Sequence, residues 1–479
     1  MTGKANVMKT RIVPSLVLMF PALLAAQTGQ PSNATPLAFT HVTVIDATGS
    51  PAQPDMSVLI TGDRISAVGK SGSVAIPKDA RVVDAAGKFL IPGLWDMHVH
   101  TRYAGFGFMS LFIVNGVTGV RDTGGPWEQF EQIKRWRSEI AAGRLIGPRI
   151  ISAGPLVDGP NSRWTHSTVV KDAEEARKAV YTLKEKGADF VKVYDLLSRD
   201  EYNAIVDQAR KVNLPFIGHV PFVISASEAS DVGQKSLEHL SGIILACSTS
   251  EEKFRKELVD DKMQPDGKEI LDTYSDQKAA ALFAKLAKNG TWQVPTLVNT
   301  WVRMAANADD PVITSPLKYI PEGYKVQWNP HNFRSDDELA EYKRRFDRYL
   351  DIVAKMKKAG VQFMSGTDTV KAFNLPGFSL QQELILLVKA GLSPMEVLQA
   401  ATVNPARFLG MADRLGTVEK GKIADLVLLE ANPLQDIANT QKIATVVVGG
   451  KMVSKQSLQE MLAKVEAEAR DWKGTPSGR

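Results

Sequence analysis

The stretch Phe89-Leu90-Ile91-Pro92-Gly93-Leu94-Trp95-Asp96-Met97-His98-Val99-His100 sets the strand pattern of this chain. A short apolar run crosses Pro92-Gly93 and ends in His-x-His. Residues two apart on a strand face the same side, so His98 and His100 can aim both imidazoles at one ion. Upstream, residues 37–93 read as several short strands. The segment 41–46 alternates with β-branched residues, and Thr61-Gly62-Asp63 is a turn signal between two apolar runs. Downstream, from 94 to 409, short apolar runs alternate with amphipathic helical segments.

The predicted strands after the one entering His98 are 116–122, 149–154, 190–194, 215–220, 236–240, 292–298 and 361–367. The predicted helices include 172–186, 199–212, 275–288 and 338–358. Eight alternating units predict a parallel (β/α)8 TIM barrel of the α/β class. The strand pattern returns at 424–429 and 443–448. These strands are too few to make a sheet alone, so they are expected to join the N-terminal ones. The predicted organisation is a composite β-sandwich from 37–93 plus 410–455, a barrel over 94–409, and a C-terminal helix and tail over 456–479. Part of 248–348 reads as an elaborated loop or lid.

Residues 1–26 read as a cleavable signal peptide. Lys4, Lys9 and Arg11 precede an apolar run that ends at Leu24-Ala25-Ala26. A polar linker, 27–36, follows. The expected address is secreted or periplasmic, with no stable membrane span after cleavage. The 479 residues carry 44% apolar and 23% charged side chains, an ordinary globular composition. The formal charge of +5 falls to +2 without the leader, which leaves no electrostatic footprint for nucleic acid. The single cysteine, Cys247, excludes an intrachain disulfide and a cysteine-based zinc site. The sequence leaves a homo-oligomer open.

Other candidate ligands sit at the ends of predicted strands. His219 ends Pro215-Phe216-Ile217-Gly218-His219, His239 follows Glu238, and Asp368 ends Gly366-Thr367-Asp368. Barrel active sites are built at these ends, and imidazole and carboxylate are standard ligands for zinc and similar ions. Lys192 lies in the otherwise apolar strand 190–194. Two readings of it stand: a salt bridge to a neighbouring carboxylate, or a carboxylated lysine whose carbamate bridges two cations.

These motifs, with Ala400-Ala401-Thr402-Val403-Asn404-Pro405-Ala406 and Leu415-Gly416-Thr417-Val418-Glu419-Lys420-Gly421-Lys422-Ile423-Ala424-Asp425-Leu426-Val427, resemble the amidohydrolase superfamily. Within it the chain looks like the imidazolonepropionase-related branch, with its binuclear dipeptidases and carboxypeptidases, prolidase-like enzymes and mycotoxin amidases. The resemblance implies a metal-dependent hydrolase with two divalent cations, zinc first among them. It places His98, His100 and Asp368 on one cation and His219 and His239 on the other. A carbamate on Lys192 and a hydroxide bridge the pair. It further implies hydroxide attack on an amide or peptide C–N bond of a dipeptide or N-acyl amino acid, with Asp368 as proton shuttle.

The alternatives are a mononuclear cyclic amidase or deaminase in which Lys192 is structural, and a binuclear esterase, lactonase or phosphotriesterase. Tyr194 shares a strand face with Lys192 and is a candidate for the oxyanion or a substrate carboxylate. Arg102, Tyr103 and His166 are further candidate substrate contacts, on predicted loops at the barrel mouth. The 128 residues between His239 and Asp368 exceed what the simplest dipeptidases of this branch suggest, so the substrate does not transfer with the family.

Overall fold

The two ends of the chain pair in one sheet. The computed structural model describes residues 35–101, 107–260, 268–325, 328, 333 and 335–472. The expected signal peptide and residues 27–34 of the linker lie outside them. So do Arg102, Tyr103 and the last seven residues of the tail.

The strands are β1 Leu37–Val44, β2 Gln53–Thr61, β3 Arg64–Lys70, β4 Arg81–Asp84, β5 Phe89–Pro92, β6 Leu94–Val99, β7 Val117–Asp122, β8 Arg149–Ser152 and β9 Val157–Asp158. They continue with β10 Thr168–Val169, β11 Val191–Val193, β12 Phe216–Gly218, β13 Ser236–Glu238, β14 Trp292–Val294, β15 Leu426–Leu429, β16 Ile443–Val448 and β17 Lys451–Ser454.

The first sheet runs β17-β16-β15-β5-β1-β2-β3, with β4 beside β1. Its join is β5, where Leu90 is registered with Val44 on one side and Leu428 on the other. Phe39, Val44, Ile60, Leu90, Leu426 and Leu428 share one buried cluster, so both ends of the sequence fill the same core. Ile65 donates its N–H to Lys422 O at 2.9 Å, and Ala424 donates to Asp63 O at 2.8 Å. The segment entering β15 therefore touches β3 at the far edge, and the expected composite domain is one sheet curled back on itself.

The remaining strands are parallel throughout. One sheet runs β6-β7-β8 and another β10-β9-β11-β12-β13-β14. Helices alternate with them: Ala173–Glu185 precedes β11, Arg199–Lys211 follows it, and Ala226–Asp231 follows β12. Ser198 and Ser225 open the last two with capping boxes closed by Glu201 and Glu228. Every residue of β11, β12 and β13 is buried, as expected for parallel strands covered by helices.

The predicted strand 361–367 forms no named strand, yet it lies between β14 and β6. Met364 donates to Gln293 O and Met97 donates to Ser365 O, both at 2.9 Å, and Asp368 donates to His98 O at 2.7 Å. The predicted strand 292–298 is shorter than expected. It ends at Val294, and the helix Leu297–Asn307 begins where the buried Glu383 carboxyl group accepts the N–H groups of Leu297 and Val298. The expected loop or lid within 248–348 is largely helical. Its helices Glu251–Val259 and Lys268–Asp272 bury Phe254, Leu258 and Ile270 with Leu245 in a small separate core. Among the described residues, no helix is long and apolar enough to cross a membrane.

Candidate metal centre

His98, Lys192, His219, His239 and Asp368 converge at the C-terminal ends of the parallel strands. His98 is near the end of β6 and His100 just beyond it; His219 and His239 directly follow β12 and β13. Ring centroids are 4.3 Å apart for His98 and His239, 5.5 Å for His98 and His100, and 5.0 Å for His219 and His239. His98, His239 and Asp368 offer three ligand atoms within 4.8 Å of one another. His100 Nε2 lies 3.2 Å from Asp368 Oδ1.

The imidazoles are oriented through Nδ1. His98 Nδ1 donates to Glu238 Oε2 at 2.7 Å, His100 Nδ1 to Gly124 O at 2.9 Å, and His219 Nδ1 to Asp195 Oδ1 at 2.8 Å. A carboxylate or carbonyl oxygen only accepts, so in each neutral ring Nε2 keeps its lone pair. His239 Nδ1 lies 2.7 Å from Thr296 Oγ1. Burial, then the nearby Lys192, holds His98 well below the usual imidazole range. It is thus neutral, the form that binds a cation.

Asp368 is 1% exposed. Burial alone would raise its pKa, but Lys371 and His239 hold it well below the carboxylate range. Asn299 Nδ2 donates to its Oδ2 at 2.9 Å, and the Lys371 ammonium pairs with the same oxygen. Asp96 ties two ligand-bearing segments together. It accepts from His98 N at 3.2 Å and from Thr367 Oγ1 at 2.6 Å, and burial raises it to about 7.

Lys192 is 1% exposed, and burial lowers its ammonium to about 8. Its approach depends on Gly218. A Cβ there, at φ +136°, would lie 2.2 Å from Val193 O and 3.1 Å from Lys192 Cδ. Three atoms of the cluster, His98 Nε2, Lys192 Nζ and Asp368 Oδ1, are buried with no hydrogen-bond partner among the described residues. Orphaned polar atoms of this kind are costly unless something else binds them. Imidazole nitrogens and a carboxylate are the donor set of a divalent cation, so the residues fit one. Backbone strain gathers here too, with His239 at φ 60°, Thr296 at 49° and Asp368 at 63°.

The cluster forms one wall of a cavity of about 450 Å³. Tyr194 lines it with its ring stacked on His219, centroids 4.1 Å apart, and burial raises its phenol. His166 lines it from the loop between β9 and β10. Arg102 and Tyr103 lie outside the described residues. Sequence reading passed over Glu238, Arg121, Asp195, Asn299, Lys371 and Arg303. Arg121 and Glu238 carried the signal that exposed Lys192, a charge inside a predicted strand; the others carried none.

A histidine–aspartate cluster at the ends of parallel α/β strands, opening into a cavity, is an arrangement that can hold a metal ion. The chain belongs to the amidohydrolase family, whose profile, described as "Amidohydrolase family", matches residues 89–453. Ochratoxinase of Aspergillus niger is 25% identical over 423 residues, covering 76% of this chain and 75% of that protein. A bottromycin amidohydrolase structure superposes with a TM-score of 0.72 at 24% identity, over 92% of each chain. A Xaa-Pro dipeptidase with bound methionine in its active site superposes at 0.63 with 21% identity, over 88% of this chain and all of that one.

Proposed function

We propose that this protein is an exported hydrolase that cleaves an amide or peptide C–N bond in dipeptides or N-acyl amino acids, using two divalent cations. The observation that carries this reading is the convergence of the three orphaned atoms of His98, Lys192 and Asp368. Two cations and a carbamate would satisfy all three. The family and the amide- and peptide-cleaving names of its relatives agree.

His98, His100 and Asp368 would hold one cation, His219 and His239 the other, with zinc the leading candidate. Lys192 Nζ, neutral, would add CO2 and release a proton, and the resulting anionic carbamate would serve as a further ligand to the cations. Bound there, the cations supply hydroxide at neutral pH and polarise the scissile carbonyl. The chain's own residues do the rest. Asp368 takes the proton released on attack and delivers it to the leaving nitrogen. The Tyr194 hydroxyl would donate to the oxygen on which charge develops. Glu238 and Asp195 keep His98 and His219 in the tautomer that presents Nε2.

We read the parallel strands as one (β/α)8 barrel over 94–409, beside the composite domain of 37–93 plus 410–455. The placement of 362–369 between β14 and β6 supports closure on one side. The bond from Asp189 N to Ser152 O at 2.9 Å supports it on the other. Export rests on the pattern of residues 1–26.

Metal content and native mass of protein lacking those 26 residues test the reading. The expected result is two cations per chain and the extra mass of one CO2, removed when Lys192 is replaced. One cation and an unmodified Lys192 would instead favour a mononuclear cyclic amidase or deaminase.

A further inference from the structure

Beyond the metal cluster the cavity has two unlike walls. One is apolar: Leu258, Ile270 and Leu271 from the helical insertion and Leu245 just before it, all buried, with Phe222 and Ile244 beside them. Most of these belong to the separate small core rather than to the main core of the parallel strands. The other wall is cationic. The acids lining the cavity are Asp195, hydrogen-bonded to His219, and Asp368, paired with Lys371. Arg255 is held by Glu251 and by the carbonyl of Phe222. Arg163 and Arg303 line the cavity, and neither has a carboxylate within salt-bridge distance among the described residues; Arg303 is the one on the helix that also carries Asn299.

Arg303 is also placed. Its guanidinium lies 5.8 Å from the centroid of the Tyr342 ring. It stands four residues after Asn299 on the helix Leu297–Asn307, so the two share a face one turn apart. Asn299 holds Asp368, the proposed proton carrier. Arg303 and Asp368 line the same cavity, so a substrate whose leaving nitrogen is served by Asp368 can present a carboxylate to the Arg303 guanidinium.

We infer that Arg303 binds the free carboxylate of the substrate and that the Leu245–Leu258–Ile270–Leu271 wall receives a bulky apolar group on the same molecule. The inference rests on amide hydrolysis at this site and narrows its substrate class to amphipathic N-acyl amino acids and dipeptides with an unblocked C-terminus.

The test is calorimetric binding of 4-phenylbutyrate, which has no bond to hydrolyse, to metal-loaded protein. The controls are 4-phenylbutanol and acetate. In Arg303→Gln, a change at an exposed helix position, phenylbutyrate should bind about tenfold more weakly, as for loss of one charge-assisted hydrogen bond. Phenylbutanol should be unaffected, and Arg303→Lys should restore part of the loss. Acetate should bind wild type at least about tenfold more weakly than phenylbutyrate, from the lost apolar contact. Equal phenylbutyrate affinity in wild type and Arg303→Gln, or no binding to wild type, overturns the carboxylate site. Equal affinity for acetate and phenylbutyrate overturns the apolar wall.

Hydrolysis separates this inference from the reading beneath it. N-acetylphenylalanine should be cleaved, N-acetylphenethylamine poorly, and Arg303→Gln should raise KM for the first alone. No cleavage of either, with binding still dependent on Arg303, sinks amide hydrolysis and leaves the subsite standing. Cleavage of N-acetylphenylalanine indifferent to Arg303 does the reverse.

Discussion

Glu238 Oε2 accepts the Nδ1 proton of His98 at 2.7 Å, and both oxygens of that carboxylate are gripped by Arg121 Nη2 at 2.8 and 2.9 Å. All three side chains are fully buried. Arg121 also donates to Met97 O at 2.6 Å and to Ser236 Oγ at 3.1 Å. The carboxylate thus does two things at once: it compensates a buried guanidinium and fixes the tautomer of a proposed ligand. Glu238→Gln keeps the shape and removes the charge. We expect a stability loss of about 3 kcal/mol in metal-free protein, because Arg121 is left uncompensated. Metal affinity should fall by about tenfold or more, because the support of His98 is weakened. Urea unfolding and chelator competition read the two separately. Lower stability with unchanged metal affinity would reduce the relay to a structural role.

Lys192 offers the sharpest test of a bridging carbamate. Lys192→Ala removes the bridge and leaves space where a small carboxylate can sit. Metal content should drop well below that of wild type, with activity falling in step. Added acetate or propionate should restore part of both. A variant that keeps its metal and its rate without added carboxylate would rule the bridge out.

The polar residues that converge at the strand ends were legible because each stands at a fixed place in or just after an otherwise apolar strand. His98 and His100 two apart, His219 after Gly218, and Asp368 after Gly366-Thr367 all announce themselves locally. The alternation of strands and helices was legible for the same reason: periodicity is written in neighbours. What sequence reading missed comes from far along the chain. Glu238 meets His98 across 140 positions, and Glu383 starts the helix at Leu297 from 86 positions away. Nothing near residue 297 says that a distant carboxylate will cap a helix there, so a strand predicted to run to 298 stops at Val294. The insertion looked irregular because its two short helices bury only a few residues each, against one another rather than against the main core.

Glu383 predicts a pH dependence. Its two oxygens accept from Leu297 N at 3.1 Å and Val298 N at 2.7 Å, yet burial dominates and lifts its carboxyl from 4.5 to about 8. The folded state therefore holds a proton that the unfolded chain releases near pH 4.5. Its contribution to stability is full below that value and is lost as pH rises through about 8. Glu383→Gln cannot titrate. The stability difference between wild type and variant should shift toward the variant between about pH 5 and 8 and then level off. A difference constant across that range, by urea unfolding at several pH values, would place the carboxyl in its ordinary ionised state.

Tyr194 separates chemistry from packing. Its ring stacks on His219 and meets Trp164 edge-on, with centroids 6.4 Å apart, so Tyr194→Phe should keep both contacts and lose only the hydroxyl. If that hydroxyl stabilises the developing oxyanion, kcat should fall by about a hundredfold with little change in KM or metal content. A rise in KM at constant kcat would mean that the hydroxyl holds the ground-state substrate, in company with Arg303. Unchanged kinetics would leave the tyrosine with the ring alone, as a support that keeps His219 turned toward the centre.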